Sequence, residues 1–374
     1  MNLSVFMPVN LLSGKNIICN SIEVFKNMGK KVLIITGKSS AKQSGALDDI
    51  INIINELRIN YTIFNDVTQN PYVSTCKAAG DIANKTKCDS IIGIGGGSVL
   101  DSAKAAALFA TNPNISSTEL FDHKYKNKPL PFILVGTTAG TGSEITKISV
   151  LTIDQTGHKK ALAHNDLYAK AAFADPRYTY TMPKDITITT ALDAFAHAVE
   201  GFFSPGCSDF PTVCAKTAIP ILWESLNWLY NNLDNDFLPS SDIRDKLYFG
   251  SLWAGLVLNS CGTAYPHPFG YILTEDFGIP HGKACTAFLP LLVLRGEEFA
   301  NKKYQKFLSL INTDFKQFKH IIDSLTNVQI TITSSMLENY LYRFTNLKNF
   351  AATPGGFDLN LSREVFMQRF NIVD

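Results

Sequence analysis

The chain lacks the features that would indicate a membrane protein or a nucleic-acid-binding protein. No uncharged apolar run reaches about 18 residues, the length that a membrane-spanning helix needs. The N-terminal segment MNLSVFMPVNLLSG has no basic stretch followed by a long apolar core, as a signal peptide would. The formal net charge is only +1, and no long run of Lys and Arg occurs. We therefore expect neither a membrane nor a nucleic acid as a partner.

Cysteine is also too sparse and too scattered to indicate a disulfide framework. The seven cysteines lie at positions 19, 76, 88, 207, 214, 261 and 285, and no two of them form a Cys-x-x-Cys motif. Their odd number and irregular spacing fit a reducing compartment. We expect a cytoplasmic protein without such a framework.

What the chain does contain is enough apolar sequence for two domains. It has 374 residues, of which 45% are hydrophobic and 18% charged. The first half alternates apolar runs, such as KVLIITG (31–37), YTIFNDV (61–67) and PFILVGTT (131–138), with helical patterns. This alternation predicts a doubly wound parallel sheet, a Rossmann-like α/β domain over 1–181.

From about residue 182 onward, long helical patterns dominate. Examples are ITITTALDAFAHAVEGFFS, CAKTAIPILWESLNWLYNNL, IRDKLYFGSLWAGLVLNSC and SSMLENYLYRF. Apolar residues recur there at helical spacing, and few strand-like runs remain. We expect an all-α second domain over 182–374.

Four residues of the second half form a pattern typical of a divalent-metal site. Asp193 and His197 lie in ALDAFAHAVEG, a stretch without a helix breaker, so that their i, i+4 spacing puts them on one helix face. His267 and His281 lie in YPHPFGYILTEDFGIPHGKA, each beside a proline. One carboxylate and three imidazoles suit Fe(II) or Zn(II) better than Mg or Ca, which prefer oxygen ligands.

Each of these histidines taken alone could equally be an ordinary core or surface residue. The other histidines, His123, His158, His164 and His320, lack a comparable context. The helical spacing of the first pair and the nucleotide motifs of the first half together favour the metal site.

A glycine-rich turn in the first half is suited to a phosphate group. Gly95, Gly96, Gly97 and Ser98 end an apolar strand and open a helix whose first turn carries Asp101. Glycines let the backbone approach a pyrophosphate, and a helix N-terminus offers free N–H groups and positive charge. The motif is neither G-x-G-x-x-G nor a Walker loop, and such a turn alone is weak evidence.

A second segment, TTAGTGSE (137–144), also follows a buried strand and is rich in small hydroxyl residues. The carboxyl ends of parallel strands face one crevice in an open α/β sheet. We therefore expect both segments to bind one dinucleotide.

Four motifs occur in an order that resembles the iron-containing (group III) alcohol dehydrogenases: GGGSVLDSAK, TTAGTGSE, DAFAHAVEG and PHGKA. The resemblance covers nearly the whole chain, and TGKSSAKQSGALDD and GYILTEDFGIPHGKA are most similar to the branch called 1,3-propanediol dehydrogenase-like. It implies the two-domain architecture shared with dehydroquinate synthase, a bound iron ion, an NAD(P) cofactor and a homodimer.

The resemblance also implies residue roles. The metal ligands would be Asp193, His197, His267 and His281. The glycine turn would hold the pyrophosphate, Asp101 would order that turn, and a lysine at 159 or 160 would lie near a ribose. The cofactor-binding candidates together are Gly37, Lys38, Ser39, Ser40, Asn70, Gly95, Gly96, Gly97, Ser98, Asp101, Thr137, Thr138, Thr141, Lys159 and Lys160.

One position departs from the family. Many members carry a second histidine four residues after the third ligand, where this chain has Tyr271. The proton would then move through Tyr271, a water at the metal or a relay along the ribose. Aligning His267 with that second histidine would leave Thr263 at the ligand position and require an insertion, so we prefer the alignment without one.

These residues predict a metal-dependent alcohol dehydrogenase or aldehyde reductase. The metal would polarise the substrate oxygen, and nicotinamide C4 would take or give the hydride. We expect Fe(II), with Zn(II) as the alternative, and a short primary alcohol or diol as substrate. Phe195, Tyr265, Phe269 and Tyr271 are candidates for an apolar pocket, although such aromatic residues are commonly just core.

Three other functions remain open. A carbon–oxygen lyase of the dehydroquinate-synthase type needs several Lys or Arg for a phosphorylated acid, but 186–204 and 250–290 contain only Lys283. An NAD-dependent polyol dehydrogenase and a metal- and nucleotide-binding protein without catalysis are the others.

The turn after the first apolar strand bears on cofactor choice. An acidic residue there bonds the ribose 2′-hydroxyl and repels a 2′-phosphate, and NAD-specific relatives carry an aspartate. Here the turn reads Gly37, Lys38, Ser39 and Ser40, which offers space, a positive charge and two hydroxyls. The alternative is an ordinary strand-to-helix turn. We predict a preference for NADP(H) over NAD(H).

Overall fold

The computed structural model describes residues 5–236, 238–344 and 348–374. The chain forms two compact units, one made of 6–183 with 240–248 and the other mainly of 184–239 and 249–374. The division predicted from the sequence, 1–181 and 182–374, places 240–248 in the second domain. These residues belong instead with the first unit, where Tyr248 Oη donates to the carbonyl of Gly136 at 2.9 Å and Arg244 donates to two carbonyls of 179–182.

The first unit alternates strands and helices along the chain. Its elements are β1 (Asn10–Ser13), β2 (Lys31–Gly37), α1 (Ser40–Gln43), α2 (Ala46–Glu56), β3 (Asn60–Val67), α3 (Val73–Lys85), β4 (Ser90–Gly95), α4 (Gly97–Thr111), α5 (Ser117–Phe121), β5 (Phe132–Gly136), β6 (Ile148–Thr152), β7 (Lys159–Ala163) and β8 (Ala171–Ala174). Short 3-10 helices cover Cys19–Asn27, Ser143–Ile145, Asn165–Leu167 and Pro176–Thr179.

Six strands form one parallel sheet in the order β1-β8-β5-β4-β2-β3. Strands β4, β5 and β8 are buried along their whole length, because helices cover a parallel sheet on both faces. The predicted α/β domain with a doubly wound parallel sheet is confirmed. Strands β6 and β7 form a separate antiparallel hairpin.

The register of the sheet brings four strand ends to one edge. Gly37 at the end of β2 pairs with Val67 at the end of β3, and Gly95 at the end of β4 pairs with Gly136 at the end of β5. The turns that follow these strands therefore all leave from the carboxyl edge of the sheet, where ligands of open α/β sheets bind.

The second unit is built mainly of helices. Its elements are α6 (Lys184–Phe203), α7 (Asp209–Asn231), α8 (Ser241–Cys261, from residue 249), α9 (Pro266–Phe277), α10 (His281–Thr286), α11 (Leu289–Phe299), α12 (Asn301–Ile311), α13 (Phe315–Thr326), β9 (Thr331–Thr333), α14 (Ser334–Arg343), α15 (Leu359–Arg369) and β10 (Asn371–Val373), with a 3-10 turn at Lys348–Ala352. The predicted helical domain is confirmed, with one addition: β9 and β10 pair in parallel. No helix in the described ranges has the length and apolarity that a membrane crossing requires.

The second unit contains one disulfide, which the spacing of the cysteines did not predict. Cys207 and Cys261, 54 residues apart, are bonded, with 5.6 Å between their Cα atoms. The bond joins the chain just after α6 to the end of α8. The other five cysteines are free thiols, so the chain has one disulfide and not a framework of several.

Candidate metal centre and nucleotide loops

Helix α6 carries two of the four predicted metal ligands into the interior of the second unit. Almost every residue from Thr187 to Phe203 is buried, as expected for a helix that itself carries apolar and small residues on nearly all sides. Asp193 and His197 lie one turn apart, as their spacing predicts, with 3.7 Å between Asp193 Oδ1 and His197 Nε2.

The other two histidines lie at the starts of short helices. Pro266 occupies the first turn of α9, where its missing N–H costs nothing, and His267 follows it. His281 begins α10 directly after Pro280. A Cβ atom at Gly282 would lie 1.9 Å from the carbonyl oxygen of Thr189, so only glycine lets α10 approach α6 this closely.

All three imidazoles surround one carboxylate oxygen. Asp193 Oδ1 lies 3.5 Å from His267 Nε2 and 3.7 Å from His281 Nε2, besides its contact with His197. The structure therefore brings the four predicted ligands together. The side chain of His281 is 26% exposed whereas those of Asp193, His197 and His267 are at most 6% exposed, so the cluster is open on the His281 side.

This arrangement fits a metal ion better than a network of hydrogen bonds. Four ligand atoms placed tetrahedrally about 2.1 Å from one ion lie roughly 3.4 Å from each other, close to the separations found here. In the part of the chain that the structure describes, Asp193 Oδ1 and His267 Nε2 are buried without a hydrogen-bond partner. Buried polar atoms of this kind need a ligand or an ion to satisfy them.

Glu200 supports His267 from behind. It lies on α6 with no exposed surface, and its Oε1 accepts a hydrogen bond from His267 Nδ1 at 2.6 Å. Its Oε2 accepts from the backbone N–H of Ala264 at 2.8 Å. A carboxylate that holds one imidazole nitrogen protonated leaves the other free to bind a metal.

The charges of the cluster shift the pKa values of its members in opposite directions. Burial alone would lower the pKa of His267, but Glu200 and Asp193 raise it to about 10. Burial alone would raise the pKa of Asp193, but the imidazoles of His197, His281 and His267 hold it well below its ordinary value.

Of the four aromatic pocket candidates, only Tyr271 lies at the cluster surface. Its ring stacks on that of His281, with 5.5 Å between centroids, and it is partly exposed. Phe195, Tyr265 and Phe269 are fully buried. Phe195 packs against Trp223, and Tyr265 stacks on Phe357. These three are core residues, so the pocket hypothesis is wrong for them.

In the first unit, the two glycine-rich segments lie against each other. A Cβ atom at Gly96 would lie 2.9 Å from Thr138 Cγ2, and one at Gly97 would lie 2.5 Å from Thr141 Cγ2. The backbone N–H of Thr137 donates to Gly95 at 2.9 Å. The absence of side chains at these glycines therefore lets the two segments pack against each other. The same absence would let a phosphate group approach the backbone.

Asn70 and Lys159 lie near the carboxyl edge of the parallel sheet, whereas the side chain of Lys160 packs on Phe121. The backbone N–H of Asn70 donates to Ser98 Oγ at 3.3 Å, and its carbonyl accepts from Thr152 Oγ1 at 3.0 Å. Lys159 pairs with Thr152 across the hairpin. The ammonium group of Lys160 lies over the ring of Phe121, 4.8 Å from its centroid.

The turn after β2 presents its side chains to solvent. Lys38, Ser39 and Ser40 are exposed, and the Ser39 hydroxyl forms no cap on the short helix α1. Gly37 has ordinary backbone angles, and a Cβ atom there would lie 3.4 Å from the carbonyl oxygen of Val67 and 3.8 Å from Ser40 Oγ. The turn can therefore accept a larger residue at position 37.

Two residues of the metal cluster were missed from the sequence. Glu200 follows His197 by three positions and Asp193 by seven, spacings that put it on their helix face and could have indicated it. Cys285 lies on α10 with its Sγ 3.4 Å from His281 Nδ1. No sequence signal distinguishes it from the other buried cysteines.

Comparisons with known proteins agree with this geometry. The iron-containing alcohol dehydrogenase family matches residues 8–176, and the C-terminal part of the Fe-containing alcohol dehydrogenase family matches residues 187–339. A long-chain-alcohol dehydrogenase of Geobacillus thermodenitrificans is 31% identical over 296 residues, 77% of this chain and 72% of the relative.

Two further relatives cover more of the chain. An NADPH-dependent butanol dehydrogenase of Clostridium saccharobutylicum is 27% identical over 335 residues, 88% of this chain and 83% of the relative. The crystal structure of an iron-containing alcohol dehydrogenase from Thermotoga maritima superposes with a TM-score of 0.89 at 31% identity, over 98% of this chain and 99% of that one.

Proposed function

Because the chain belongs to the iron-containing alcohol dehydrogenase family, we propose that it transfers a hydride between NADP(H) and a short primary alcohol or diol and the corresponding aldehyde. The observation that carries this proposal is the cluster of three imidazoles around Asp193 Oδ1. The 1,3-propanediol dehydrogenase-like branch and the homodimer belong to the same proposal.

Asp193, His197, His267 and His281 would hold the metal, Fe(II) by family membership. When bound, the ion would act as a Lewis acid toward the substrate oxygen. Glu200 keeps His267 Nδ1 protonated and its ring fixed, so that Nε2 faces Asp193. Because His281 is the most exposed of the four ligands, the alcohol would arrive from its side.

Tyr271 is the side chain best suited to guide the substrate or its proton. Its ring lies against His281 on the accessible side of the cluster. A phenol can both donate and accept a hydrogen bond. We propose that it contacts the substrate there, in place of the second histidine that many family members carry.

The cofactor part of the proposal rests on the carboxyl edge of the parallel sheet. The turns that follow β2, β4 and β5 would hold the adenosine ribose, the pyrophosphate and the nicotinamide side of the cofactor. The exposed Lys38, Ser39 and Ser40 support a 2′-phosphate, since ammonium and hydroxyl groups both donate hydrogen bonds to it. The relative from Clostridium saccharobutylicum is named as NADPH-dependent.

Anaerobic purification, elemental analysis and a panel of short aldehydes test this proposal. We expect iron in the protein and a kcat/KM with NADPH at least about tenfold higher than with NADH, the effect of one good phosphate contact. Equal or better use of NADH would contradict the phosphate-binding turn. Steady binding of NADPH without oxidation by any aldehyde would favour a non-catalytic protein or a lyase.

The variant Glu200→Gln should weaken metal binding about 10- to 100-fold, the usual effect of removing the partner of a ligating histidine. Glutamine keeps the size of Glu200 but loses the charge that holds His267 in one protonation state. The metal retained after dialysis against increasing chelator measures the effect. Asp185→Asn, an exposed carboxylate on the same helix, is the matched control and should retain metal like the wild type. Equal retention by both variants would show that Glu200 has no part in the site.

A further inference from the structure

A lysine lies completely buried beneath the two glycine-rich segments of the first unit. Lys104 belongs to α4, one turn after Asp101, and its side chain has no exposed surface. Burying an ammonium group is costly unless its N–H groups find partners. An apolar side chain would fill the same space without this cost, so the contacts of Lys104 indicate what it is retained for.

Those contacts join α4 to the end of TTAGTGSE (137–144) and to the start of β6. Lys104 Nζ donates to the carbonyl oxygen of Ile148 at 2.6 Å and to Ser143 Oγ at 2.8 Å. Asp101 Oδ1 lies 3.7 Å away, and Thr146 Oγ1 at 3.5 Å is the weakest hydrogen-bonding partner. The strong contacts are therefore to Ser143 and Ile148.

Ser143 connects Lys104 to Asp101. Its hydroxyl accepts from Lys104 and donates to Asp101 Oδ1 at 2.6 Å, while Asp101 Oδ2 accepts from the backbone N–H of Val150 at 2.9 Å. A serine hydroxyl can fill both roles at once. Removing that one oxygen would therefore interrupt the connection from both sides.

Ser143 also forms a hydrogen bond with Thr141. The backbone N–H of Ser143 donates to Thr141 Oγ1 at 3.2 Å, and Thr141 packs directly on Gly97. Lys104, Ser143 and Thr141 thus connect the glycine turn (95–98) to TTAGTGSE (137–144), here called the threonine segment, and hold the two at a fixed distance. A dinucleotide bound at this edge needs both segments at a fixed distance.

Two acidic groups face the buried ammonium. Asp101 approaches it from α4, and Glu144 from the 3-10 helix Ser143–Ile145 at the end of TTAGTGSE. Burial lowers the pKa of Lys104 to about 8, although both carboxylates raise it, and burial raises the pKa of Glu144 to about 7. Burying these charges costs free energy that an apolar contact between the same segments would not.

We propose that Lys104, acting through Ser143, is a positioning residue for the cofactor: it holds the threonine segment against the glycine turn at the spacing that the dinucleotide requires. This inference rests on the proposed function of the same edge. It assigns Lys104 no contact with the substrate or with the metal cluster.

The test compares three variants of the full-length, metal-loaded protein: Ser143→Ala, Lys104→Met and, as matched control, Thr146→Val. We expect Ser143→Ala and Lys104→Met to raise the Kd and KM for NADPH about tenfold or more, with kcat at saturating cofactor changed less than about threefold. Thr146→Val removes the weakest contact and should stay within about twofold of the wild type. Metal content should be the same in all four proteins.

A structural role alone would produce another pattern. It would lower the active fraction and the Tm while leaving KM for the cofactor unchanged, and that result would overturn the inference. So would an equal rise of KM in Thr146→Val. If Lys104→Met does not fold, Ser143→Ala decides, because it removes a single oxygen atom. A wild type that binds neither NADPH nor NADH would overturn the proposed function, and the inference with it, whereas tight binding by both wild type and Ser143→Ala would overturn the inference alone.

Discussion

His267→Ala is expected to lower kcat at least about 1,000-fold, with either cofactor and any aldehyde. The metal would lose one of its nitrogen ligands, and losing several kcal/mol of charge stabilisation in the transition state corresponds to a change of that size. The variant should also contain much less metal than the wild type. Steady-state rates together with elemental analysis of the same preparation measure both effects.

The variant should also be less stable than the wild type. Glu200 would remain buried, and among the described residues the N–H of Ala264 is the hydrogen-bond partner that it would keep. An uncompensated buried charge typically costs about 3–5 kcal/mol. His281→Ala avoids this problem because His281 is partly exposed, and Asp193, the carboxylate that it faces, would still have His197 and His267 beside it. It should lose activity to a similar extent while keeping the Tm close to that of the wild type.

His320→Ala is the matched control for both variants. This histidine is exposed on α13, far along the chain from the four ligands, and its ring Nε2 forms a hydrogen bond with Tyr230 Oη at 2.9 Å. Its removal should leave kcat and metal content unchanged. A folded His267→Ala protein with the rate and metal content of the wild type would show that the four residues are not the metal ligands.

Gly37→Asp should reverse the cofactor preference. A carboxylate at this position would lie beside Ser40 Oγ, where we propose that the 2′-phosphate binds. Repulsion between a carboxylate and a phosphate about 4 Å away is worth a few kcal/mol at most near a surface. We therefore expect kcat/KM with NADPH to fall about 10- to 100-fold while the value with NADH stays the same or rises.

Gly37→Asn separates charge from volume. Asparagine has nearly the same shape as aspartate, and the backbone angles at position 37 accept either residue. If repulsion is the cause, Gly37→Asn should keep most of the preference for NADPH. A wild-type preference that survives Gly37→Asp would contradict the assignment of this turn to the 2′-phosphate.

The sequence predicted the architecture well because strand and helix patterns alternate so regularly in the first half. KVLIITG was predicted as a strand over the very range that β2 occupies, and the predicted helix that opens after the glycine turn is α4. The order of strands in the sheet, unlike the strands themselves, could not be predicted from local sequence patterns. That β8 lies between β1 and β5 depends on contacts between distant segments, which no local pattern records.

The same distinction explains the site. Asp193 and His197 share a helix face, so their proximity follows from local geometry alone. The meeting of His267 and His281 with them depends on how α9 and α10 pack on α6. Ligand chemistry and the neighbouring motifs suggested it, and the family resemblance implied the same four ligands. The core positions of Phe195 and Phe269 could not be predicted either, because an aromatic residue beside a ligand has the same sequence context in a pocket and in a core.

The segment 240–248 shows where continuity of sequence misleads. Nothing in IRDKLYFGSLW distinguishes its first residues from the rest of the helix, and we placed the whole helix in one domain. Arg244 and Tyr248 are polar residues with buried side chains, and they find their hydrogen-bond acceptors in the first unit. Such long-range pairing is not visible in a helical periodicity.

The backbone contact at Gly282 also limits how this protein can be re-engineered. A mutant library designed for new alcohol substrates would ordinarily randomise every residue near His281. A side chain at position 282 would force α10 away from Thr189, and one at position 270 would collide with Cys285. Most such variants would therefore lose the geometry of the metal cluster before any new specificity could be selected. Tyr271 and Lys283 are better positions to randomise, because they are partly exposed and adjoin these two glycines in the sequence.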